Sequence, residues 1–394
     1  MTITGHIDQL HILDSGFDPA VKERLDRHFE QLVREGKVHC ASYLLSRDGT
    51  VFAEEAFGKL KHDQTDALLR NDSIRRVASV TKLFTAAAIF QLVEQGKLFL
   101  RQSVSEWIEE FKHPMYEKIQ IWHLLTHTSG IQADPGYYME PYPMGYWDVM
   151  FAFQPETEGP FAVTDPEELE KQRCSAWLRA VLSGKPLAAP GEQWTYSSAA
   201  YAILGEVIAR ASATSYDEYV MERIVKPLGM NRTFFEVPEE LHAEVCIIND
   251  FEVSRLRKDD RKYGPPRAGG GLHSTLGDLF RFGQMLLNGG TLDGVRILSR
   301  KSVEKLTDNA LDSGIKAFCW GGNIQSMTYG IGASLTGPGE WIPEGSFGHE
   351  GAGRCKLLID AKNKAVIVFF VPSNMDWCPE SMIGTQNLIG SGWL

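Results

Sequence analysis

The sequence predicts an α+β fold: an antiparallel sheet flanked by helices, drawn from both ends of the chain, plus an inserted, mainly helical domain. Two observations carry this. A hairpin pattern lies near each terminus, and the stretch between them is governed by helical rather than alternating apolar periodicity. The sheet domain is placed over residues 1-75 and 260-394, and the helical domain over 76-259.

The elements follow in order. Residues 19–35 carry Val21, Leu25, Phe29, Leu32 and Val33 on one helical stripe, closed by Gly36. Residues 41–45 form a short apolar strand, Asp48-Gly49 supplies a tight turn, and residues 51–57 return. Residues 81–95 are apolar nearly all round and end at Gly96, which marks a buried helix with a glycine cap. Helical patterns recur over 199–211, 216–225 and 276–287. Near the C-terminus, strands at 355–359 and 365–371 flank the polar turn at 360–364, and the tail after Pro379 reads as a helix.

One stretch, at 131-190, resists periodicity. It is rich in rings (Tyr137, Tyr138, Tyr142, Tyr146, Trp147, Phe151, Phe153) and prolines. A segment this long without a regular pattern is either a lid or binding wall, or a surface subdomain with its own small core.

Bulk properties exclude several classes. A net charge of -11 and a pI near 5.5, with no basic stripe, argue against nucleic acid and anionic membrane surfaces as partners. The longest apolar run, 365–372, falls far short of the roughly 20 residues a spanning helix requires. The N-terminal residues show neither a basic n-region nor an apolar h-region, so the expected location is cytoplasmic. Six dispersed cysteines without a C-x-x-C pair then read as reduced thiols.

Chemistry is concentrated at Ser79-Val80-Thr81-Lys82, immediately before the buried helix. Residues three apart share a helix face, so Ser79 and Lys82 can touch. A serine hydroxyl needs a base to become a nucleophile, and a lysine serves when burial lowers its pKa. A bare S-x-x-K is more often a helix cap followed by a surface lysine. Here the helix is apolar on every side, which turns Lys82 inward.

Two further segments stand in order: Trp194-Thr195-Tyr196-Ser197-Ser198, leading into a helix, and Gly348-His349-Glu350-Gly351-Ala352, leading into a strand. With these, the chain resembles the serine β-lactamase and penicillin-binding-protein superfamily, whose S-x-x-K signature it shares. The branch it looks most like holds class C β-lactamases, D-alanyl-D-alanine peptidases and the family VIII-type esterases. Leu124 through Gly130, Pro227 through Met230 and Ala268 through Thr275 resemble landmarks of that branch, and the similarity runs from about residue 20 to the C-terminus.

The resemblance implies a β-lactamase/transpeptidase-like fold and a set of roles. Ser79 would be the acylated nucleophile, with Lys82 and Tyr196 as its base system. His349 would take the cationic position that a lysine usually holds in this superfamily. The backbone N–H groups of Ser79 and Ala352 would form the oxyanion hole, and Ser198, Gly351, Trp194, Tyr137 and Tyr138 would line the substrate.

Two departures bear on substrate. Ser198 stands where β-lactamases usually carry asparagine, and its hydroxyl reaches less far. His349 in place of lysine offers a weaker positive charge to a β-lactam carboxylate at neutral pH. Both favour small esters or less charged amides.

Other features read as structural. His123 and His127 lack the adjacent Glu of a zinc-protease helix, and Gly269-Gly270-Gly271 lacks the Lys-Ser/Thr of a phosphate loop. No metal or cofactor is expected, and no G-x-S-x-G elbow is present. The leading expectation is a carboxylesterase working through an acyl-enzyme. The alternatives are a β-lactamase or D-amino-acid peptidase, an acyltransferase, and a non-catalytic penicillin-binding or sensor domain.

Overall fold

Two hairpins, one from each end of the chain, meet edge to edge to form the central sheet of the computed structural model. The structure describes residues 9–63, 67–131, 133–134, 165, 168, 176–256, 265–312, 314–319, 322–324, 327–373 and 378–394. The N-terminal hairpin is β1 (Cys40–Arg47) and β2 (Thr50–Gly58). The C-terminal strands are β3 (Ser334–Leu335), β4 (Phe347–Gly351), β5 (Cys355–Asp360) and β6 (Ala365–Phe370). They lie in the order β3-β4-β5-β6-β1-β2, every neighbour antiparallel.

Both hairpin turns have a local cause. Asp48 and Gly49 both take positive φ (49° and 81°), as the two-residue turn that matches strand twist requires. At the other turn the Asp360 carboxylate accepts from the Asn363 backbone N–H at 3.0 Å, and Lys364 completes the turn at φ 53°. The joint between hairpins sets Leu44 opposite Val368 and Tyr43 opposite Phe369.

That register sorts side chains onto two faces with period two. Tyr43, Leu45, Ile367 and Phe369 pack against helix α1 (Pro19–Arg34), whose Val21, Leu25, Phe29 and Leu32 are buried. Asp18 caps this helix, accepting from Ala20 N–H. Leu44, Val366, Val368 and Phe370 face the other way, into a core shared with helices α2 (Thr81–Glu94), α3 (Ser198–Ser212) and α4 (Leu276–Leu287).

Helix α2 is buried on all sides, as its composition requires. Its Phe84 stacks on Phe282 of α4 at 3.9 Å. α4 in turn lies so close to the sheet that a Cβ on Gly283 would come within 2.6 Å of Val366. The tail after Pro379 starts with a wide turn (Glu380–Gly384) and continues as helix α5 (Thr385–Gly390). Among the described residues no helix is long and apolar enough to cross a membrane.

Candidate active site

Ser79 is delivered by a short pairing too brief for sequence patterning to reveal. Arg75–Arg76 pairs with His273–Ser274, and Val77 N–H donates to Leu272 O at 3.0 Å. The chain then turns at Ala78 (φ 44°) into the single turn Ala78–Val80, which runs directly into α2. Thr81 locks this turn, donating to Ala78 O at 2.7 Å and accepting from Leu272 N–H at 3.1 Å. Ser79 therefore stands at the positive end of a buried helix, where developing negative charge is favoured.

Lys82, one turn along, has no solvent exposure. Its Nζ donates to Ser79 Oγ at 3.1 Å, Ser198 Oγ at 3.1 Å and Gly269 O at 2.7 Å. The rings of Tyr196 and Tyr201 approach Nζ at 4.8 and 5.3 Å. Burial lowers its pKa to about 8, against an opposing pull from the Asp134 carboxylate. The spacing read as a base beside a nucleophile thus closes into contact.

The segment 194–198 is held by a histidine that sequence reading left as structural. His127, at φ 56°, takes Thr195 N–H on its carbonyl at 2.7 Å and Ser197 N–H on Nδ1 at 3.1 Å. With Nδ1 accepting, the proton sits on Nε2, which is buried without a hydrogen-bond partner among the described residues. The ring lies 4.4 Å from that of Tyr196 and 5.1 Å from that of Tyr201. Burial and the nearby Lys82 charge keep His127 neutral, its pKa well below the ordinary value.

Ser198 opens α3, capped by Ser197, and its hydroxyl donates to Asp134 Oδ2 at 2.6 Å. Its backbone N–H donates to Asp134 Oδ1 at 2.7 Å, and Asp134 N–H reaches back to Tyr196 O at 2.9 Å. Asp134 is a second residue that sequence reading missed. Its available signal was position: an acid four residues beyond the LLTHTSG landmark, inside the unpatterned stretch.

Strand β4 forms the opposite wall. Gly351 lies so near the Ser79 approach that a Cβ there would sit 2.3 Å from Val77 O. Cys355, facing it across the strand turn, donates its S–H to the same carbonyl at 3.0 Å. Ala352 follows at the exposed end of β4.

Two expected roles need correction. His349 is 3% exposed, and burial first, then the Lys82 charge, lowers its pKa to about 3. It is a neutral imidazole rather than a cation: Nδ1–H donates to Glu350 O at 2.7 Å and Nε2 accepts from the Tyr329 hydroxyl at 3.5 Å. Trp194 is also 3% exposed, packed with Leu311, Ala317 and Tyr329, so it backs Tyr196 from the core instead of lining substrate. Tyr137 and Tyr138 lie outside the described residues.

Among the described residues no group of three or more His, Cys, Asp or Glu is arranged to hold a metal ion. The Beta-lactamase family profile matches residues 25–375. Protein Rv1367c of Mycobacterium tuberculosis is 32% identical over 269 residues, covering 62% of this chain and 61% of that protein. Esterase EstB of Burkholderia gladioli is 31% identical over 211 residues, covering 52% and 50% respectively. The chain thus spans between half and three fifths of these relatives' lengths. Among solved structures, a family VIII carboxylesterase superposes with a TM-score of 0.68 at 19% identity, covering 93% of this chain and 96% of that one. EstCE1, a hydrolase with promiscuous acyltransferase activity, superposes with a TM-score of 0.71 at 17% identity, covering 94% and 98%. The fold is therefore β-lactamase/transpeptidase-like.

Proposed function

This chain belongs to the Beta-lactamase family, and from that premise we propose that it is a serine hydrolase, a carboxylesterase that cleaves small uncharged esters through an acyl-enzyme on Ser79. The observation that carries the reading is the fully buried Lys82 with Nζ 3.1 Å from Ser79 Oγ. A lysine whose pKa is lowered to about 8 supplies a useful neutral fraction near physiological pH.

In this reading neutral Lys82 takes the Ser79 proton as Oγ attacks the ester carbonyl. The tetrahedral oxyanion is held by the backbone N–H groups of Ser79 and Ala352, the first reinforced by the α2 N-terminus. The proton passes from Lys82, through the Tyr196 hydroxyl, to the leaving alkoxide, which departs as the alcohol. Water, deprotonated by the same Lys82–Tyr196 system, then releases the acid and regenerates Ser79.

Substrate preference rests on charge. A neutral, buried His349 offers no fixed cation to a substrate carboxylate, and Asp134 adds negative charge beside Ser198. Both favour an uncharged acyl group over the carboxylate-bearing β-lactam nucleus. The resemblance of EstB over half its length points the same way.

A fluorophosphonate probe followed by intact-mass measurement tests the nucleophile. One adduct on the native chain and none on Ser79→Ala is expected; labelling that survives Ser79→Ala overturns the assignment. A series of nitrophenyl esters run beside a chromogenic cephalosporin tests the substrate class. Faster turnover of the cephalosporin would overturn the ester reading.

A further inference from the structure

We propose that Asp134 is a positioning residue for this chemistry: by accepting the Ser198 O–H, it turns that oxygen's lone pairs toward Lys82 Nζ and so fixes the base beside Ser79. The inference rests on the Ser79–Lys82 reading above and assigns a role to a residue outside the three recognised segments.

The geometry gives each link. A serine hydroxyl has one proton and two lone pairs. Its proton goes to Asp134 Oδ2 at 2.6 Å, so the oxygen can only accept from Lys82 Nζ at 3.1 Å. The other carboxylate oxygen takes Ser198 N–H at 2.7 Å, which fixes the carboxylate's orientation. Asp134 N–H binds Tyr196 O at 2.9 Å, tying the same residue to the proposed proton relay. Carboxylate-assisted bonds are the stronger kind, and a fork that uses both oxygens leaves little rotational freedom.

The groups facing Lys82 are Ser79, Ser198, the Gly269 carbonyl, the rings of Tyr196 and Tyr201, the neutral His127 and His349, and the Asp134 carboxylate. Of these, Asp134 bears the negative charge that raises the Lys82 pKa against its burial. Asp134→Asn keeps the shape, removes the charge, and presents an amide N–H₂ where Ser198 needs an acceptor.

Nitrophenyl-ester kcat/KM should be measured against pH for native enzyme, Asp134→Asn, Ser198→Ala and the double variant, after confirming Ser79 labelling on the native chain. Asp134→Asn should lower kcat/KM by about 10–100-fold, the worth of a charge-assisted hydrogen bond, and shift the acid limb to lower pH. Because Asp134 acts through Ser198, adding Asp134→Asn to Ser198→Ala should cost little more. An unmoved acid limb, or losses that simply add, would overturn the proposal. A merely structural role would lower thermal stability without moving the limb. Absence of label on native Ser79 would instead strike the underlying hydrolase reading.

Cys40, at the head of β1, and Cys246 are buried with their Sγ atoms 3.5 Å apart. Cys246 N–H donates to Ile74 O, so the pair links β1 to the segment leading to Ser79. Beside it, buried Arg75 donates Nη2 to Ser42 while its Nε and Nη1 have no hydrogen-bond partner among the described residues. We infer that Cys40 and Cys246 form an oxidisable dithiol, a modification site closed by a peroxide.

The Cys246 thiolate is favoured by its sulfur–sulfur hydrogen bond with Cys40 and by the Arg75 charge, against the opposing effect of burial. The Cys246 thiolate attacks one peroxide oxygen and releases hydroxide, which takes up the thiol's proton, leaving a sulfenic acid. Cys40 sulfur then displaces water, so two thiols and one hydrogen peroxide give one disulfide and two waters.

After graded hydrogen peroxide, the denatured native chain should lose two alkylatable thiols and two hydrogens of mass, with the Cys40 and Cys246 peptides joined and dithiothreitol reversing the change. Cys246→Ser and Cys40→Ser should each abolish that mass loss. An unchanged thiol count in the native chain, or the same crosslink signature persisting in Cys246→Ser, would overturn the inference.

Discussion

Lys82 Nζ stands 3.1 Å from Ser79 Oγ, and the lysine carries no solvent exposure. The rate of Ser79 acylation should therefore follow the neutral form of Lys82. With its pKa lowered to about 8, kcat/KM should rise from about pH 6 and level off above about pH 9. The direction follows because the base must have lost its proton before it can accept the one on Ser79. Lys82→Ala should lower kcat/KM by about 10²–10⁴-fold, the usual worth of a positioned general base. Lys82→Arg should not rescue it, because a guanidinium stays protonated. A profile whose acid limb lies near pH 6, or an active arginine variant, would remove Lys82 from the base role.

The sequence made the frame of this fold legible, because its signals are local. Asp48-Gly49 between alternating strands and a helix apolar on every side each specify one structure. Ser79 is legible from the buried helix that follows it, whereas the role of Tyr196 is implied by the family resemblance. The missing parts depend on contacts between distant positions. Asp134 meets Ser198 across 64 residues and His127 meets Ser197 across 70, and neither sits in a periodic pattern. The resemblance puts His349 at a cationic position, but burial beside Lys82 decides its protonation. The resemblance puts Trp194 against substrate, while the short pairing of Gln193–Trp194 with Lys316–Ala317 draws it into the core.

Gly351 is a place where one methyl group should separate folding from catalysis. A Cβ there would lie 2.3 Å from Val77 O and 2.6 Å from Cys355 Sγ. The Val77 carbonyl belongs to the turn that presents Ser79, so relieving the clash displaces the nucleophile from Ala352. Gly351→Ala should destabilise the fold by about 1–3 kcal/mol, the range for overpacking a close contact. It should also slow acylation by more than that loss of folded protein explains. Fluorophosphonate labelling rates at a temperature where circular dichroism shows both proteins folded check this. Equal rates would show that the β4–Ser79 spacing does not matter to the chemistry.

His349 also fixes how stability should respond to acid. Its folded pKa is lowered to about 3 from an ordinary 6.5, so the unfolded chain binds the proton more readily than the folded one. The contribution of the buried neutral ring is present in full above pH 6.5 and is lost as pH falls from there toward 3. Within that window one such proton is worth about 1.4 kcal/mol per pH unit. His127, also buried and neutral beside Lys82, acts in the same direction. Urea unfolding between pH 7 and 5, above the range where most carboxylates titrate, should show stability falling with acid. His349→Phe should make that slope shallower by close to one proton's worth, even if the substitution changes stability at pH 7. An identical slope in the variant would mean that His349 gains its proton in the folded state as easily as in the unfolded one, and the neutral wall beside Lys82 would have to be abandoned.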